Sequence, residues 1–136
     1  MTSATVIIES QPPHIGQYLA VRDVMKRYDN VILCIIDKPM VMSTNKVIAI
    51  WTLIFEDYDF SIVSVDADKI YEQGLPDFAK DTERIYVSDK HLFVYLNNNG
   101  INVSFLGHVQ GYNDMFIRHA YRNGLAYDYL IGMSEY

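Results

Sequence analysis

The chain has 136 residues, half of them hydrophobic and 21% charged, proportions of a globular protein that exclude an intrinsically disordered one. Its net charge of −6, with only 11 scattered Lys and Arg, argues against a nucleic-acid partner, because binding a phosphate backbone rests on clustered basic residues. With no internal repeat and no long linker, the length predicts a single domain over 1–136.

"TVIIES" (5–10) is a short β-branched run ended by turn residues, which predicts a buried strand. Tyr18, Val21, Met25 and Tyr28 then recur at helical spacing, with Arg22, Asp23, Lys26 and Arg27 mostly elsewhere on the helix. "VILCII" (31–36) is apolar on both faces, the mark of a strand in a parallel sheet covered by helices. Ser43 or Thr44 can cap a second helix whose Val47, Ile50, Trp51, Ile54 and Phe55 form one apolar stripe, and this places Trp51 in the core. "FSIVSVDA" (60–67) is a third strand, and Asp68 to Glu83 shows no clear pattern. "RIYVS" (84–88) predicts a fourth strand, "DKHLFVYLNNNG" a helix with Gly100 as its left-handed cap, "INVSFL" (101–106) a fifth strand, and "YNDMFIRHAYRNG" a last helix stopped by Gly124.

Strand and helix alternate almost throughout, so the expected fold is an α/β/α sandwich of Rossmann-like type around a five-stranded parallel sheet of order 3-2-1-4-5. Ligands of such sheets bind beyond the carboxyl ends of the strands, where the strand order reverses. Here that place lies between the first and fourth strands, beside His14 and the "SDK" loop.

The single cysteine, Cys34, permits neither an intramolecular disulfide nor a cysteine zinc cluster; a reducing cytoplasmic location is expected, with Cys34 as a small buried hydrophobe. No apolar run reaches the ~18 residues of a membrane span and "MTSATVIIES" has no signal-like pattern, so no membrane partner is expected. His91, His108 and His119 lack carboxylate or cysteine partners at metal spacing, and no protein-held metal is expected. Eleven tyrosines, several of them in "AYRNGLAYDYLIGMSEY", favour a subunit interface and hence a homo-oligomer.

The segment "QPPHIGQYL" resembles the signature G-x-F-x-P-x-H-x-G-H of the nucleotidyltransferases that join a nucleoside triphosphate to a phosphorylated acceptor. Pro12, His14 and Gly16 match it, while Ile8, Ser10 and Gln17 stand where that family has Gly, Phe and the second His. The last third of the chain is similar in order and spacing to the archaeal-type nicotinamide mononucleotide adenylyltransferases. Tyr112, Ile117 and Arg118 match their final motif; Asn113, Asp114 and Met115 replace its Ser, Gly and Thr, and Val87-Ser88-Asp89 replaces a Thr-Gly-Asn turn.

The resemblance implies adenylyl transfer from ATP to a phosphorylated small molecule such as nicotinamide mononucleotide, with Mg²⁺ arriving on the nucleotide. It assigns transition-state stabilisation to His14 and phosphate holding to Gln17 and Arg118. Around the nucleotide it places Gln11, Pro12, Gly16, Lys46, Tyr112, Asn113 and the backbone of Ser88 and Asp89. Asp37 and Lys38 fall on the ligand side as candidate substrate contacts, though Asp37 also suits turn chemistry and Arg118 equally suits a surface ion pair. One lost donor in a site of this kind costs ~10²–10³ in rate, so the replaced motif positions also fit a nucleotide-binding or assembly protein that has lost turnover. A cytidylyltransferase acting on an alcohol phosphate is a third reading, since the motif does not choose the base.

Overall fold

The computed structural model describes residues 2–10, 13, 15–38 and 42–107. In chain order they form β1 (Ser3–Glu9), α1 (Ile15–Arg27), β2 (Asn30–Ile36), α2 (Thr44–Ile54), β3 (Phe60–Val65), α3 (Ala67–Gln73), α4 (Asp77–Lys80), β4 (Arg84–Val87), α5 (Lys90–Asn98) and β5 (Val103–Phe105). The strands make one five-stranded sheet of order β3-β2-β1-β4-β5. Every pairing is parallel, as the alternation of elements predicts.

β1 is the centre, and its sequence explains why. Ala4 to Ile8 are all buried, and Val6 lies opposite Leu33 of β2 on one side and Tyr86 of β4 on the other. Because side chains alternate along a strand, Ala4, Val6 and Ile8 enter the layer beneath α1 and α2 with Val21, Val47 and Trp51. Ile7 enters the opposite layer with Cys34, Ile70 of α3, Ala79 of α4 and Leu92 and Leu96 of α5. The helices therefore change faces where the strand order reverses, the consequence of right-handed crossovers running first one way and then the other from β1.

The caps follow local chemistry. Ser43, not Thr44, caps α2, its hydroxyl accepting from the Lys46 amide at 3.3 Å. Gly100 has φ +80°, the left-handed geometry expected of it just past α5. β3 ends at Val65, earlier than expected, because the Asp66 carboxylate accepts from the Asp68 amide at 2.9 Å and starts α3. β5 is likewise shorter than its apolar run. The helix expected over 112–124 lies outside the described residues. Among the described residues no helix is long and apolar enough to cross a membrane.

Phe55, at the end of α2, is fully buried and stacks on Trp51 (centroids 5.6 Å) and Tyr18 (5.5 Å), with Tyr58 and Phe60 edge-on. Its ring thus joins α1, α2 and β3. Phe55→Ala is expected to lower stability by about 3–5 kcal/mol in urea unfolding, the cost of a large buried cavity. Cys34 is buried in β2, and burial pushes its thiol up to about 12, since the charged thiolate is the disfavoured form. Native protein at pH 8 should therefore resist iodoacetamide at Cys34 and react fully once unfolded in urea.

Candidate functional site

In a parallel sheet covered by helices, the amino ends of the helices gather at the carboxyl ends of the strands. The rung that closes β1 against β4 is the Ser88 amide donating to the Ile7 carbonyl at 3.1 Å. Beyond it the two strands part. Glu9 and Ser10 lead through the Pro-x-His-x-Gly segment into α1, and Ser88 and Asp89 lead into α5.

Neither α1 nor α2 carries an acidic residue in its first turn. The positive ends of their dipoles therefore favour an anion, with no carboxylate on the same turn to oppose it. Ser88 is buried at the end of β4, and its hydroxyl has no hydrogen-bond partner among the described residues. A buried hydroxyl without a partner costs about 1–3 kcal/mol, a cost that a ligand atom or water at the switch point removes. Asp89 is committed elsewhere: its carboxylate accepts from the His91 amide at 2.9 Å as the cap of α5.

The end of β2 is tied down by polar bonds. The Asp37 amide donates to the Val65 carbonyl at 2.7 Å, and the Asp37 carboxylate accepts from the Thr44 hydroxyl at 2.8 Å. The Thr44 oxygen lies 3.0 Å from the hydroxyl oxygen of Ser10, at the end of β1. Ser10 and Thr44 are both buried, whereas Asp37, Lys38 and Lys46 are exposed. Asp37 also borders a groove of about 690 Å³ at the ends of β2 and β3, lined further by Asp66, Lys69, Gln73, Asp77 and Lys80. A second groove, of about 520 Å³, runs beside the later turns of α1 along Arg22, Lys26 and Arg27 to Tyr86 and Gly107.

No family model matches the chain, and no curated protein matches it in sequence. Its structure is similar to that of a bifunctional NMN adenylyltransferase/ADP ribose pyrophosphatase from Francisella tularensis, crystallised with AMP and a manganese ion. The TM-score is 0.67 at 16% identity, over 96% of this chain and 44% of that one. The likeness is one of fold. The chain spans less than half the length of that bifunctional protein.

Of the residues expected at the site, Gly16, Gln17, Asp37, Lys38, Lys46, Ser88 and Asp89 are described, and all belong to the carboxyl ends of strands or the first turns of helices. Gln11, Pro12, His14, Tyr112, Asn113 and Arg118 lie outside the described residues. Gln17, read from the sequence as a phosphate donor, is fully buried on the inner side of α1, in line with Val21 and Val24. The sequence reading missed Ser10 and Thr44 as a buried pair, and it missed Lys69, Gln73 and Lys80. Two of those three are charged side chains of short helices in the stretch that shows no periodicity.

Asp89→Ala removes the cap of α5 and leaves its first-turn amides to water; it is expected to cost about 1 kcal/mol in urea unfolding. Asp89→Asn, which keeps the acceptor, should recover most of that loss.

Proposed function

We propose that the chain is a nucleotidyltransferase-like protein that binds Mg-ATP at the carboxyl edge of the sheet and transfers its adenylyl group to a phosphorylated small molecule such as nicotinamide mononucleotide. What supports this reading is the connection made by the Pro-x-His-x-Gly motif, which in sequence links β1 to α1, the strand and helix on one side of the switch point between β1 and β4. The fold shared with an NMN adenylyltransferase-containing enzyme supports it, as do the AMP and manganese ion held by that protein.

In the reaction an acceptor phosphate oxygen bonds to the α-phosphorus of ATP as the bond to the bridging oxygen of pyrophosphate breaks. Charge spreads over the α-phosphate oxygens, and catalysis rests on holding the groups in line and meeting that charge with fixed donors. In this reading His14 supplies a donor to the α-phosphate, and Arg118, from the matched final motif, holds phosphate. Lys46 and Lys38 approach from the loop and helix after β2. The groove bordered by Asp37 receives the acceptor, with Lys69 and Lys80 as its cations. Mg²⁺ enters with the nucleotide. The full chain acts as a cytoplasmic homo-oligomer.

A second reading, nucleotide binding without turnover, is favoured by one observation: Gln17, in the place of the motif's second His, is fully buried. Calorimetric titration with Mg-ATP, with CTP as comparison and His14→Ala as control, separates the readings. The expected result is saturable ATP binding, weakened about tenfold or more in His14→Ala with an unchanged melting temperature, and pyrophosphate release with an acceptor. Binding without pyrophosphate from any acceptor establishes the second reading, and a preference for CTP moves the assignment to cytidylyl transfer. No binding of either nucleotide at millimolar concentration overturns both.

A further inference from the structure

We infer that the hydrogen-bond chain Ser10–Thr44–Asp37 is a positioning device beneath the proposed nucleotide site, so that nucleotide affinity depends on a Thr44 hydroxyl that does not itself touch the nucleotide. The inference rests on the nucleotide reading above. The direction of the chain is set by proton count. Thr44 has one hydroxyl proton, and it is directed to the Asp37 carboxylate at 2.8 Å. At the 3.0 Å contact the Thr44 oxygen therefore accepts, and Ser10 donates.

Three element ends are joined in this way: the residue after β1, the residue after β2 and the first residue of α2. Asp37 is fixed independently to β3 through its amide. Lys38 follows the clamped carboxylate directly, and Lys46 lies half a turn of helix beyond Thr44. Both lysines are thus held from points whose spacing the two hydroxyls determine.

Folding does not need the pair. α2 already has its cap in Ser43 and its anchors in Val47 and Trp51. Two buried hydroxyls that satisfy each other can be exchanged for apolar groups of the same shape at little cost in stability, which would leave only an exposed carboxylate behind. What such an exchange removes is the link across the mouth of the site. Without it the ligand must order the loop ends on binding, and affinity falls by that amount.

The test is titration of Mg-ATP into wild type, Thr44→Ser, Thr44→Val and Ser10→Ala/Thr44→Val at a temperature where melting curves show all four folded. Thr44→Ser should bind within about threefold of wild type, and Thr44→Val about tenfold or more weaker. The double variant should be no weaker than Thr44→Val, because both substitutions break one chain. Ser10→Ala alone, expected to weaken binding in the same direction, carries the test if Thr44→Val does not fold. Thr44→Val binding within threefold of a wild type that binds ATP overturns this inference and leaves the nucleotide reading intact. A wild type that binds no ATP at millimolar concentration overturns the nucleotide reading and takes this inference with it.

Discussion

The structure depends on the parallel pairing of β1 with β2 on one side and β4 on the other. A chain that builds outward from β1 to β3 and then returns past it to β4 must send its early helices over one face and its later helices over the other. The chain leaving β1 therefore enters a helix on one face and the chain leaving β4 a helix on the other, and ligands of such sheets bind at this reversal of strand order. Ser88 marks the parting: its amide makes the last shared rung, and its buried hydroxyl has no hydrogen-bond partner among the described residues.

That arrangement distributes the chemistry before any side chain is chosen. Two helix amino ends without first-turn acids point at the edge where the strands stop, so the scaffold itself favours an anion there. The acidic chain total does not oppose this, because the field at a helix end acts within about a turn and distant surface charges are screened over about 10 Å. Three carboxylates near the edge are engaged: Asp37 accepts from Thr44, Asp66 from the start of α3 and Asp89 from the start of α5. A carboxylate that accepts backbone or hydroxyl protons repels an incoming phosphate less than its formal charge suggests.

Much of this was legible in the sequence, and the reason is periodicity. "TVIIES" and "VILCII" are buried on both faces, which parallel sheets require, and the stripe of Val47, Ile50, Trp51 and Phe55 matches one side of a helix. α3 and α4 left no such trace because each buries a single residue, Ile70 and Ala79. The Ser10–Thr44 contact was not legible either, since it joins residues 34 apart through hydroxyls that also suit a turn and a helix start. Gln17 is a different case. Its burial was readable from its spacing to Val21 and Val24, four and seven residues on, but motif position was weighed above helical face. Pro12 and His14 of the Pro-x-His-x-Gly segment and the residues after Gly107 are outside the described part, so their assignment rests on the sequence alone.

The burial of Gln17 bears on how binding and turnover separate in a site of this form. Helix amino ends and the Ser88 position belong to the backbone plan and persist through side-chain replacement, so in the proposed reading they would sustain attraction for a phosphate in its ground state. Acceleration needs more: donors aimed at charge that appears only as the α-phosphate becomes five-coordinate, and these come from side chains at the motif positions. In the proposed reading, Gln17 occupies the motif position of the second His with its side chain buried, which takes one such donor out of the site while leaving the amino end of α1 in place. For the proposed site, loss at these positions would lower turnover before affinity, and the two functional readings would share one site and differ in how many transition-state donors it retains.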